Sequence, residues 1–144
     1  MSSPSLNVRA LSPAMYQYGP DKMNEDIVVP RSKIPDMLRY VEALQEETGL
    51  TMICFGHAGD GNIHFHIMLD KSVAADQEKA RTAVGMVFDK TLALGGSISG
   101  EHGVGLSKQP YLSKEIGVVE QRLMKQIKQV FDPRGILNPG KIFS

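Results

Sequence analysis

Three of the chain's four histidines fall in Gly56-His57-Ala58-Gly59-Asp60-Gly61-Asn62-Ile63-His64-Phe65-His66. Imidazole both binds divalent metals and carries protons near neutral pH. A Gly-Asp-Gly-Asn turn lies between His57 and His64, so a hairpin would fold the first back beside the second. A short local segment then assembles two ligands for a metal, or two proton-handling groups. Asp60 reads as a turn-former rather than a ligand. The remaining histidine stands in Gly100-Glu101-His102-Gly103-Val104-Gly105. Glycine lets backbone approach a ligand closely. Glu101 offers a third ligand for a cation held by His57 and His64, and His102 a free imidazole to act as base.

These residues need elements to place them. Thr51 to Phe55 and Ile63 to Leu69 are rich in β-branched and apolar residues and read as the two strands of the hairpin. Alternation puts Ile63, Phe65, Ile67 and Leu69 on one face and His64, His66 and Met68 on the other. A strand is expected over Glu25–Pro30. A helix follows from Ser32 to Thr48, with Ile34, Met37, Leu38, Val41 and Leu44 on one side, Ser32 able to cap it and Gly49 ending it. A second helix runs from Val73 to Leu94, with Ala80, Val84, Val87, Phe88 and Thr91 inward, and Ser97–Ser99 reads as a short strand. The order strand, helix, strand, strand, helix, strand predicts an α+β fold. It is a ferredoxin-like antiparallel sheet with both helices on one face. The other face, bearing His64 and His66, would be left for a second surface to close. A third helix, Ser113 to Phe131, carries the stripe Ile116, Val119, Leu123, Ile127 and Val130, read as ordinary packing. A turn-rich tail ends the chain. This divides one domain, residues 1–144, into an irregular arm (1–24), the ferredoxin-like core (25–101), and a C-terminal helix with its tail (102–144).

The 144 residues suffice for one domain with a real core. Sixteen basic residues balance sixteen acidic ones, without a basic patch that would suit nucleic acid. No apolar run is long enough for a membrane span, and no signal peptide is evident. The single cysteine, Cys54, reads as a buried small hydrophobe. A cytoplasmic location fits this usage.

Three stretches resemble signatures of one family, the C-terminal domain of FAD-linked oxidases of the vanillyl-alcohol-oxidase type. They are Gly56-His57-Ala58-Gly59-Asp60-Gly61-Asn62-Ile63-His64, Ser99-Gly100-Glu101-His102-Gly103-Val104-Gly105, and Phe131-Asp132-Pro133-Arg134-Gly135-Ile136-Leu137-Asn138-Pro139-Gly140-Lys141. Asn24-Glu25-Asp26-Ile27-Val28-Val29-Pro30-Arg31-Ser32 resembles the entry to that domain. The nearest branches are the glycolate oxidase flavin subunit and the D-lactate and D-2-hydroxyglutarate dehydrogenases.

The resemblance implies oxidation of a small 2-hydroxy acid to a 2-oxo acid. Electrons pass to FAD, held mainly by an N-terminal FAD-binding domain that these residues do not include. The chain is then expected to be inactive alone. The implied partners are that domain and an electron-transfer subunit, with the parent enzyme peripheral at the inner membrane. By the same resemblance His57, His64 and Glu101 are ligands of a divalent metal, with zinc suiting the donors. His102 is the catalytic base, Arg9 binds the substrate carboxylate, and Asn138 lies in the segment that approaches the flavin. Asn24 stands where the 2-hydroxyglutarate branch has lysine, which argues for a smaller acid such as glycolate or lactate. His66 stands where that branch has asparagine, giving a changed substrate contact or a fourth ligand. Two alternatives stay open. One is a free-standing metal-dependent hydrolase on the same three ligands. The other is a non-catalytic module that docks or forms a homodimer through the open sheet face.

Overall fold

The computed structural model describes residues 14–57 and 59–143. Three strands make one antiparallel sheet: β1 (Asp21–Val28), β2 (Thr51–His57) and β3 (Asn62–Leu69), in the order β1-β3-β2. Helix α1 (Ile34–Thr48) connects β1 to β2, α2 (Ala74–Ala93) follows β3, and both cover one face. The remainder is a short helix α3 (Leu112–Glu115), a longer one, α4 (Val118–Phe131), and the tail. No described helix is long and apolar enough to cross a membrane.

Packing, rather than capping, holds α1. Its N-terminus has no side-chain cap; Lys33 occupies the cap position, and a 3-10 turn (Arg31–Lys33) precedes it, so Ser32 does not cap. A missing cap forfeits about 1 kcal/mol. Burial of Met37, Val41 and Leu44 supplies about 1.5–3 kcal/mol for each side chain, which outweighs that loss. At the other end Gly49 takes a left-handed φ of 71° and donates its N–H to Gln45 O. In α2 the buried residues are Ala80, Ala83, Val84, Val87, Phe88 and Thr91, the face expected from the pattern. These helices and the inner sheet face, Ile27, Ile63, Phe65 and Ile67 among them, form one apolar core.

The βαββαβ order holds, with its last strand reduced to a remnant. Ser97 makes a single antiparallel bridge to Val28, through Val28 N–H to Ser97 O at 3.0 Å and Ser97 N–H to Val28 O at 2.9 Å. Pairing then stops, because Ser99 N–H turns to Ser97 Oγ at 3.3 Å and Asp26 O, which would face it, takes the Lys108 ammonium at 2.8 Å. The first strand also lies earlier than expected, Asp21–Val28 rather than Glu25–Pro30, because β3 offers a partner as far out as Leu69, opposite Asp21. The irregular arm therefore ends before Asp21 among the described residues.

Two further expectations are corrected. The helix read over Ser113–Phe131 is broken at Ile116-Gly117, both extended, with Gly117 serving as N-cap of α4. The stripe read as ordinary packing is uncovered: Val119, Leu123, Ile127 and Val130 are all more than half exposed. Periodicity identified an apolar face but not what lies against it.

Gly61 closes the β2–β3 turn at φ 83°, and a Cβ there would stand 2.1 Å from Val29 O. Gly59, in the same turn, has nothing within 4 Å of such a Cβ. Gly61→Ala is therefore expected to destabilise the chain by about 1–3 kcal/mol. Gly59→Ala should stay within about 0.5 kcal/mol of wild type. Urea unfolding of the two variants measures the difference.

Candidate functional site

Strand register decides which side chains meet. Asn24 pairs with His66 and Asp26 with His64 across β1 and β3. Phe55 pairs with His64 and His57 with Asn62 across β2 and β3. Directly paired residues share a face. Asn24, Asp26, Phe55, His57, Asn62, His64 and His66 thus lie together, opposite the face that packs on α1 and α2. His57 and His64 are diagonal neighbours there, with ring centroids 5.8 Å apart.

The chain following Ser97 brings the second motif to this face. Glu101 Oε1 lies 3.9 Å from His57 Nε2. One donor atom from each of His57, His64 and Glu101 falls within 4.8 Å of the other two. The His102 ring is 5.7 Å from that of His64. The structure therefore gathers His57, His64, Glu101 and His102, all four residues that the sequence assigned to metal and base. Two imidazoles and a carboxylate are a donor set that fits zinc.

His66 belongs to the same face but not to the three-donor group. It is only 7 % exposed and stacks on Phe55, ring centroids 4.9 Å apart. Its Nδ1 lies 2.5 Å from Asn24 Oδ1. With the amide oxygen as acceptor, Nδ1 carries the proton and Nε2 is a bare acceptor. Burial, with smaller contributions from Lys22, His64 and His102, pushes its pKa down to about 4, so the ring is neutral near pH 7. Met68 beyond it is also buried. The face expected to be open is thus closed at its Met68 end and accessible at the His57 end.

Several buried polar atoms here find no protein partner: His66 Nε2, both side-chain polar atoms of Asn62, and Ser99 Oγ. Such orphans cost about 1–3 kcal/mol each. Those of His66 and Asn62 sit on the face of the candidate ligands, which is what a site built for a polar ligand would show.

Asp26 and Lys108 escaped the sequence reading. Asp26 is fully buried. Its Oδ2 accepts the backbone N–H groups of Gly100 at 2.9 Å, Glu101, and His102 at 3.0 Å. Its Oδ1 receives the Lys108 ammonium and lies 3.3 Å from His102 Nδ1. Lys108, itself buried, also donates to Asp26 O at 2.8 Å and approaches Glu25 Oε2 at 3.8 Å. Burial alone would raise the Asp26 pKa. The Lys108 hydrogen bond and the Glu101 and His102 N–H groups outweigh it and hold it at about 2. Glu25 lacks such donors, and burial raises its pKa. One sequence signal was available: Glu25-Asp26, adjacent in a strand, must send one carboxylate to each face. Nothing marked Lys108.

Arg9 lies outside the described residues. Asn138 lies in the exposed tail, in a left-handed conformation with φ 46°. Asp132 shapes that tail by accepting from Ile136 N–H at 2.9 Å and Leu137 N–H at 3.0 Å. The tail returns to the loop after His102 through Ile142 N–H to Gly105 O, 3.5 Å. Cys54 is half-buried rather than fully buried, and burial pushes its thiol up to about 12.

The His66 environment has a consequence for stability. A histidine whose folded pKa is depressed contributes fully above its unfolded value and loses that contribution as pH falls toward the folded one. Lowering the pH from about 6.5 to 4 should thus cost the chain up to about 3 kcal/mol through His66. Urea unfolding at a series of pH values should show that slope in wild type and a flatter profile in His66→Asn.

Comparison with known proteins identifies the family. The profile of the FAD linked oxidases, C-terminal domain, matches residues 6–142. The glycolate oxidase subunit GlcD of Bacillus subtilis is 39% identical over 94% of this chain and 29% of its own length. A D-lactate dehydrogenase of Anaerostipes hadrus is 44% identical over 81% of this chain and 25% of its own. A D-2-hydroxyglutarate dehydrogenase of Stutzerimonas stutzeri is 41% identical over 83% and 26%, respectively. The chain spans little more than a quarter of the curated relatives it matches. Since the matched region takes in both histidine motifs and the Asp132–Lys141 tail, the chain belongs to the family of C-terminal domains of FAD-linked oxidases.

Proposed function

We propose that this domain forms the substrate side of an FAD-dependent enzyme that oxidises a small 2-hydroxy acid, of the glycolate or D-lactate kind, to the 2-oxo acid. The observation that carries this reading is the convergence of His57, His64, Glu101 and His102 on one sheet face, in a chain of this family. His57, His64 and Glu101 would hold a divalent cation, with zinc suiting two imidazoles and a carboxylate. When bound, the cation supplies Lewis acidity that makes a hydroxyl easier to deprotonate, and FAD supplies the acceptor for the α-hydrogen and its electron pair.

The chain's own residues do the rest. His102 takes the hydroxyl proton on its ring. Arg9 holds the substrate carboxylate through a two-pronged hydrogen bond. His66, held neutral and fixed by Asn24, is a substrate contact that adds no charge. An uncharged Asn24–His66 pair suits an acid without a second carboxylate. Asn138 and its tail face the flavin. The partner is the flavin-binding part of the same protein. It would cover the exposed apolar residues of α4, Val119, Leu123, Ile127 and Val130, together with Ile136 and Leu137 of the tail. That uncovered surface favours a domain of a larger assembly over a free-standing hydrolase.

Zinc titration of the chain by calorimetry should give one site, weakened at least ~100-fold by His57→Ala, His64→Ala or Glu101→Gln. With the flavin-binding part supplied, D-lactate or glycolate should bleach the flavin anaerobically. His102→Ala should keep zinc but slow bleaching by about 10²–10⁴-fold. Flavin that stays oxidised with every small 2-hydroxy acid tried would overturn the reading.

A further inference from the structure

Glu101 and His102 stand on neither strand nor helix, so something else must hold them in place. The side chain that accepts hydrogen bonds from the backbone of Gly100, Glu101 and His102 is Asp26, near the end of β1. Three consecutive N–H groups, of Gly100, Glu101 and His102, converge on Asp26 Oδ2. The approach is tight. A Cβ on Gly100 would stand 3.0 Å from that oxygen and 2.7 Å from Asn62 Oδ1. The other oxygen, Oδ1, receives the buried Lys108 ammonium and lies 3.3 Å from His102 Nδ1, near enough for its charge to act on that nitrogen.

We propose that Asp26 is the positioning residue of the site: Oδ2 fixes the backbone that carries Glu101 and His102, and Oδ1 keeps the proton of the neutral His102 ring on Nδ1. Nε2 is then the free acceptor for the substrate's hydroxyl proton. An ionised carboxylate only accepts hydrogen bonds, so its charge 3.3 Å from Nδ1 favours the tautomer that carries N–H there. Lys108 makes the arrangement durable. It is a buried countercharge with its own ties to Asp26 O and Oδ1, so the carboxylate stays ionised without solvent. Asp26 touches no reacting atom in this scheme; it acts through His102 and Glu101. The catalytic part of this inference rests on the reading of His102 as proton acceptor. The part concerning the tautomer does not.

The test has two readouts. The first is the ¹⁵N spectrum of the histidine-labelled chain at a pH where His102 is neutral, with His102 assigned by a His102→Gln variant. The expected result is a proton on Nδ1 in wild type. In Asp26→Asn, whose side-chain amide can donate to Nδ1, the proton should move toward Nε2. Removing one partner of a buried pair can unfold a protein. The charge-balanced variant Asp26→Asn/Lys108→Gln is therefore measured alongside and should show the same shift. A wild-type ring protonated on Nε2, or a tautomer unchanged in a folded variant, would overturn the proposal. The second readout is anaerobic flavin reduction by D-lactate in the assembled, flavin-containing protein. Asp26→Asn/Lys108→Gln should lower kcat by on the order of 10²-fold with KM changed only a few-fold, as expected when an acceptor nitrogen is misassigned rather than substrate binding lost. If His102→Ala leaves reduction intact while the tautomer follows Asp26, the reading of His102 fails and the positioning by Asp26 stands.

Discussion

A single buried carboxylate joins the sheet to the loop that completes the site. Asp26 arrives on β1, where strand pairing fixes it opposite His64. From there it gathers three backbone N–H groups and one ammonium. A carboxylate with so many donors is close to fully satisfied, which is the condition under which a buried ion is tolerated. Removing either Asp26 or Lys108 would deprive the other buried charge of its closest countercharge, at a cost of up to about 3–5 kcal/mol. The Gly100–His102 loop has no ladder of its own, since the fourth strand consists of one bridge at Ser97. Its geometry is therefore inherited from β1 through one side chain.

The sheet supplies the remaining constraint. Period-two alternation divides β1 and β3 cleanly, with Ile27, Ile63, Phe65 and Ile67 in the core and Asn24, Asp26, His64 and His66 opposite. The helices enforce this division. A slip of one residue would send the imidazoles into the apolar core and the phenylalanine to the site. Positions of functional groups are therefore secured by the same burial that stabilises the fold.

That coupling explains what the sequence made legible. The hairpin, both long helices and the three candidate ligands follow from alternation, periodicity and glycine placement, all of them local signals. What stayed hidden is non-local. Ser97–Ser99 looks like a strand, but only Ser97 finds a partner, because Lys108 has taken Asp26 O, the acceptor that Ser99 would need. The helix expected through Gly117 breaks there. The stripe of α4 announces an apolar face, while its cover is not among the described residues. Lys108 sits between Ser107 and Gln109 with nothing nearby to suggest burial; its partner is 82 positions away. Asp26 was visible as half of an acidic pair in a strand, yet its role depends on a loop more than seventy residues later. Resemblance supplied only expectations where spacing left the roles of Arg9, His66 and Asn138 open.

In the proposed function His57, His64 and Glu101, brought together by hairpin register and the Asp26-held loop, form one cation site. X-ray absorption at the zinc edge on the zinc-loaded chain tests it most directly. The account predicts two imidazole nitrogens and a carboxylate oxygen at about 2.0–2.2 Å, with the imidazole signal reduced by one in His64→Ala. A shell of water oxygens alone, or one unchanged by that substitution, would contradict it.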